Sequence, residues 1–189
     1  MTNTATATAT TSIVPGTWTI DPSHSEVSFS VRHLMVSKVR GSFTRFTGTI
    51  TTGQDYGASS VEATIDMNSV DTRDERRDTH VRSADFFDVE RYPEATFRST
   101  AVRANGDDYI VEGDLTLHGV TRPVNLRLEL NGVGPDAWGG TRAGFSATAE
   151  INRSDFGVDI NLPLEGGGVV VGDKVTLYLE VEATLQAAA

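Results

Sequence analysis

The chain has 189 residues and a mass of 20.3 kDa, the size of one domain that buries about 70% of its unfolded surface. It carries 16 Lys and Arg against 26 Asp and Glu, a net charge of −10, and such a surface repels nucleic acid and anionic lipid. Cysteine is absent, which excludes disulfides, thiol catalysis, iron–sulfur clusters and thiolate zinc sites.

Residues 1–14 begin MTNTATATATTS and read as a disordered Thr/Ala tail; 15–187 read as a single domain. The tail has neither the positive nor the apolar region of a secretory leader. No apolar run approaches the ~20 residues of a membrane-spanning helix. A cytoplasmic location without a transmembrane segment is therefore expected.

Period-two alternation then dominates. In 26–33, Val27, Phe29, Val31 and His33 share one face, opposite Glu26, Ser28, Ser30 and Arg32. The stretch 39–51 slips phase between Val39–Gly41–Phe43 and Phe46–Gly48–Ile50, which predicts a β-bulge near Thr44–Arg45. Val61, Ala63, Ile65 and Met67 mark a strand over 60–68. A polar stretch at 73–84 is the single helical segment, with Asp71 or Thr72 as N-cap. Ala95, Phe97, Ser99 and Ala101 point inward from 94–103, and further strands follow at 108–118, 122–131, 142–152 and 173–185. Asn105-Gly106, His118-Gly119 and Asn131-Gly132 mark reversals. Each strand has one dry and one wet face, the pattern of antiparallel sheet. Eight such strands remove their exposed edges by closing into an all-β barrel. Its inward face is rich in Ala, Gly and Ser. Two outcomes are open: a lumen that holds one slim ligand, or a core in which these residues interdigitate with Phe and Leu.

Phosphate-cradling loops, a nucleophile elbow and a zinc helix are all missing. Gly166-Gly167-Gly168 reads as a flexible loop, and Asn152-Arg153-Ser154 as a chance sequon. His24 and His118 fall in turns and His80 on the polar helix, so no metal site is expected. His33 faces inward, either as a hydrogen-bonded core histidine or as the partner of a ligand's polar end. The run Arg73-Asp74-Glu75-Arg76-Arg77-Asp78 is a solvated helix face or an anchor for an acidic group. Asp85-Phe86-Phe87 either plugs the barrel or lines its mouth. No catalytic set emerges, because acid–base chemistry needs a paired group of tuned pKa.

Several blocks in order resemble the YceI-like polyisoprenoid-binding proteins: GTWTIDPSHSEVSFSV (16–31), RHLMVSKVRGSF (32–43), DTRDERRDTHVRSADFFDVERYPEATFRST (71–100), GDLTLHGVTRPV (113–124) and GFSATAEINRSDFGV (144–158). The resemblance spans about Gly16 to Leu185. It implies an extended, lipocalin-like antiparallel barrel with an internal hydrophobic tunnel, an isoprenoid or other amphiphile as ligand, and often a homodimer. It supplies no catalytic residues and no cofactor other than that ligand. Many members carry a leader to the periplasm; the cytoplasmic expectation for this chain departs from them. The expected function is non-enzymatic storage or transport of a long-chain amphiphile, a polyisoprenoid or isoprenoid quinone. Parity nominates Phe29, Val31, Phe43, Phe97, Phe145, Ala147 and Leu177 as tunnel lining, with His33 at the polar end. The rival expectations are a barrel enzyme working through His33 and a carboxylate, and a ligand-free structural barrel.

Overall fold

The computed structural model describes residues 13–160 and 170–187. The Gly166-Gly167-Gly168 loop and residues 1–12 of the expected tail lie outside the described residues. All pairings in the sheet are antiparallel. β1 (Gly16–Ile20) and β2 (Glu26–His33) form one path interrupted at Asp21–Ser25. β3 (Ser37–Phe43) and β4 (Phe46–Thr52) form the next, interrupted at Thr44–Arg45, where the phase slip predicted a bulge. Then come β5 (Ser60–Asp66), a short β6 (Val70–Asp71) and the helix α1 (Glu75–Arg82). β7 (Glu94–Asn105), β8 (Asp108–Leu117), β9 (Val120–Pro135), β10 (Thr141–Asn152) and β11 (Val171–Leu185) complete the chain.

The ring runs β1–β4–β5–β7–β8–β9–β10–β11 and closes where β11 pairs with β1 through Trp18↔Leu185 and Ile20↔Ala183. It is a closed 8-strand barrel. The earlier half of β11 pairs with β2 instead, from Val171↔His33 to Glu180↔Glu26. β1 and β2 thus share one edge of β11. Strand direction puts α1, the turn 34–36 and the turn 118–119 at one end, here the helix end. The loop 53–59 and the turns 106–107 and 136–140 lie at the other, the mouth end.

Three local expectations change. The helix begins at Glu75, because Arg73 takes φ 65 and Asp74 is the N-cap, accepting the Arg77 N–H at 3.0 Å. Asn131-Gly132 is not a reversal: β9 runs through it, and the register shift opposite Gly144/Phe145 absorbs the extra residue as a bulge. The reversal comes at 136–140. β1 went unread in the sequence because TWTI is too short to show its period.

The helix end is packed shut. Met67, Leu117 and Phe156 are buried there, with Phe43 and Phe87 against them. Phe43 stacks obliquely on Phe29 at 5.6 Å and on Phe87 at 6.2 Å between centroids. Phe87 is therefore part of a plug, whereas Phe86 meets the His80 ring edge-on at 5.1 Å. α1 is stitched over this end. Buried Asp78 accepts from the Thr72 N–H at 2.9 Å and the Thr72 hydroxyl at 2.5 Å, while Arg82 donates to the Asn68 and Val70 carbonyls.

Two inward glycines exist because phenylalanine rings lie on them. A Cβ on Gly113 would stand 2.3 Å from the Phe97 ring, and one on Gly41 2.5 Å from Phe29. Overpacking of this kind costs roughly 1–3 kcal/mol or more. Gly113→Val is accordingly expected to lower the free energy of unfolding in urea by at least about 2 kcal/mol, and Phe97→Leu in the same chain to restore part of it. An unchanged melt for Gly113→Val would show that the Phe97 ring does not lie on this glycine.

Candidate functional site

Toward the mouth end the same barrel holds a cavity of about 360 Å³, within the ~300–1,000 Å³ range of small-molecule sites. Its walls come from the inward parity of almost every strand: Ile20, Ile50, Ala63, Phe97, Val111, Leu126, Phe145, Ala147, Leu179 and Val181 all line it. Small side chains leave the volume. Ala147 sits between Phe145 and Ala149 on β10, and Ala63 faces Phe97 across the β5–β7 ladder. Not every small residue serves the lumen, however. Ala143 and Ala183 are buried against Trp18, itself 0% exposed. The interdigitating core and the cavity both exist, in different parts of one barrel.

The rim is polar and lies around the 53–59 loop, where Thr52, Gln54, Asp55, Tyr56, Ser59 and Ser60 border the opening. Several of these groups are already engaged. The Thr52 hydroxyl donates to the Val14 carbonyl at 2.7 Å and accepts from the Trp18 indole N–H at 2.9 Å. Asp55 caps the 3-10 turn Tyr56–Ala58. Asp55 is the only charged side chain among the described residues that line the cavity.

Of the residues nominated from parity, Phe97, Phe145, Ala147 and Leu177 line this cavity. Phe29, Val31, His33 and Phe43 are not among its lining residues. Parity assigns a face, but β2 and β3 continue past the lumen to the helix end, where β6 pairs with β3 and Phe87 packs on Phe43. His33 ends β2, paired with Ser37 at that same end. The mouth residues Gln54, Asp55 and Tyr56 escaped sequence reading because they sit in an irregular loop without periodicity.

The histidines take other partners. His80 meets Asp85 at 3.0 Å, and His118 Nδ1 lies 3.1 Å from the Phe156 carbonyl while its ring packs on Tyr92. His24 Nδ1 is 2.9 Å from Asp21, and these two with Glu182 bring ligand-type atoms within 4.8 Å of one another. Arg142 already reaches Asp21 at 2.9 Å and also bonds Glu182, so the negative charge a cation would neutralise is met by a guanidinium. The group is a clamp at the break between β1 and β2. Hydrogen bonds from the Ser23 hydroxyl, then from Arg142 and His24, hold the Asp21 carboxyl well below the usual carboxylate range. In return, Asp21 first and Glu182 second raise the Arg142 pKa.

Comparisons with known proteins agree with this architecture. The YceI-like domain model matches residues 18–183. The chain is 46% identical over 164 residues to Protein YceI of Escherichia coli, covering 86% of this chain and 83% of that one. It is 44% identical to Protein YceI of Salmonella newport over the same share of both chains. Among solved structures, Burkholderia cenocepacia BcnA matches with a TM-score of 0.73 and 26% identity, over 86% of this chain and 98% of its own. A polyisoprenoid binding domain from Saccharophagus degradans shares the fold with a TM-score of 0.69 and 18% identity, over 92% of this chain and 100% of its own.

The Asp21 clamp has a pH signature. A carboxyl whose folded pKa lies below its unfolded value stabilises fully above the unfolded value, and that stabilisation fades as pH falls through the folded one. With an unfolded value near ~3.9, the stability gap between wild type and Asp21→Asn should be constant above about pH 5 and narrow steadily below about pH 4. Urea melts across this range measure the gap. A gap that stays constant into strong acid would show that the Asp21 charge contributes nothing.

Proposed function

Because the chain belongs to the YceI-like family, we propose that its barrel carries or stores one long-chain amphiphile, a polyisoprenoid or isoprenoid quinone, without transforming it. The observation that carries this reading is the cavity: apolar walls from nearly all strands, one end plugged by aromatic rings, and a polar rim at the other. A chain buried there gains roughly 0.8 kcal/mol per methylene and needs few directional contacts. The polyisoprenoid-binding description of the Saccharophagus degradans domain, which has the same fold, points to the same ligand chemistry. Phe97, Phe145, Ala147 and Leu177 are the proposed wall contacts. In this reading the polar end of the ligand meets Gln54, Tyr56 and Ser60 at the rim rather than His33.

Catalysis through His33 and a carboxylate has less support. His33 lies away from the lining, and Asp55, the one carboxylate lining the cavity among the described residues, is engaged as a cap. A general acid or base needs a tuned partner within hydrogen-bond reach.

Protein purified without detergent is expected to release, on organic extraction, a near-equimolar unmodified long-chain lipid detectable by mass spectrometry. An empty extract, together with failure to bind added isoprenoid quinone, would defeat the carrier reading. Ala147→Trp supplies a sharper check, since an indole there enters the ligand's volume. The delipidated variant should keep its stability within about 1 kcal/mol, as free space absorbs the ring, yet fail to bind. Strong destabilisation would instead mean that the interior around Ala147 is close-packed.

A further inference from the structure

We propose that the mouth end of the barrel docks on a zwitterionic phospholipid bilayer through Trp138 and Tyr56 and takes up its ligand there; the docking stands by itself, and the uptake rests on the carrier reading above. The chain has 2 tryptophans, and they are opposites. Trp18 is 0% exposed and Trp138 84% exposed, with Tyr56 at 49%. Folding gains nothing from an indole held in water. Yet the turn that carries Trp138 is firmly built. The Asp136 carboxylate accepts the Trp138 N–H at 2.9 Å and the Gly140 N–H at 2.6 Å, and the Asp136 N–H donates to the Gly140 carbonyl at 3.0 Å. Gly139 at φ 86 makes the turn possible. Tyr56 is similarly fixed, on a 3-10 turn capped by Asp55, with its ring 5.8 Å from that of the wall residue Tyr109.

The topology puts the two aromatics on opposite sides of the opening. Tyr56 rides between β4 and β5, and Trp138 between β9 and β10. In the ring, β7 and β8 separate these pairs one way round, and β11 and β1 the other. Two rings carried on opposite sides of an open mouth form no contiguous patch of the ~800 Å² per partner that a stable protein interface uses. A fluid bilayer accepts both at headgroup depth, where Trp and Tyr concentrate. Charge selects the kind of bilayer. Asp55, Asp107 and Asp136 lie at this end, where the single charge of Arg142 is shared among Asp21, Glu182 and, at 3.5 Å, Asp136, and Arg103 is tied to Glu112. The charge left over among the described residues is negative, so anionic headgroups are repelled and zwitterionic ones tolerated.

The buried Trp18 makes the test selective. Vesicles of brominated phosphatidylcholine should quench the exposed component of the tryptophan emission. Trp138→Ser should remove that component and weaken vesicle binding about tenfold, and added phosphatidylglycerol should weaken wild-type binding further. Extraction of geranylgeraniol from loaded phosphatidylcholine vesicles should slow about tenfold in Trp138→Ser, while its binding of geranylgeraniol added from ethanol stays unchanged. Absence of quenching in wild type overturns the docking proposal. So does vesicle binding by both Trp138→Ser and Tyr56→Ser that is as tight as that of wild type, or a wild-type dimer that becomes monomeric in Trp138→Ser, which would make the indole a self-association contact. If wild type is quenched but takes geranylgeraniol from neither source, docking stands and the carrier reading falls.

Discussion

The barrel depends on how β11 is shared. A single long strand must hold β10 along one edge and both β2 and β1 along the other, although β1 and β2 are separated by Asp21–Ser25. At the break, Glu182 takes over the missing ladder. Its carbonyl accepts from the Asp21 N–H at 2.8 Å, and its N–H donates to the Ser25 hydroxyl at 2.9 Å. A side chain replaces backbone where the strand bends, so the Glu182 N–H keeps a partner. Arg142 from β10 reaches across to Asp21 and Glu182 and ties the break to its neighbour. The joint lies beside the pairs Trp18↔Leu185, Thr19↔Thr184 and Ile20↔Ala183 by which β1 closes the ring on β11.

That bend also divides the interior. Below it, β2 and β3 leave the ring and run to the helix end, where β6 extends their small sheet and α1 covers it. The phenylalanines there meet one another and close the lumen. Above it, β1 and β4 complete the ring around the cavity, with Trp18 filling the space beside Ala143 and Ala183. One barrel therefore has a dry plug at one end and an accessible pocket at the other. That polarity is the one the carrier proposal uses, with the chain of an amphiphile in the lumen and its polar end at the rim.

Alternation is a local property, and it made much of the molecule legible. The eight strand paths, their inward faces, an irregularity at Thr44–Arg45 (a strand break rather than the expected bulge), the Asn105-Gly106 hairpin and the polar helix all follow from spacing and turn chemistry. Irregular or short stretches were not legible in the same way. TWTI is too brief for a period, and Asn131-Gly132 has turn composition although its neighbours continue a strand. Arg153 is buried and donates to the Gly172, Val158 and Val171 carbonyls, bonds that no spacing announces.

The sequence by itself determined the class of the protein: an acidic, cysteine-free antiparallel barrel with a small-residue lumen and the motif blocks of its family. Parity tells which face of a strand is dry, because neighbouring side chains alternate wherever the strand lies. Only the tertiary structure decided where along the strand that dry face meets ligand space rather than another ring. Phe29 and Phe97 have the same inward parity, yet Phe29 stacks in the plug and Phe97 faces the cavity. The difference lies in how far each strand stays in the closed ring, and that is set by long-range pairing to β11 and by packing of the segment around α1. No local pattern carries that information.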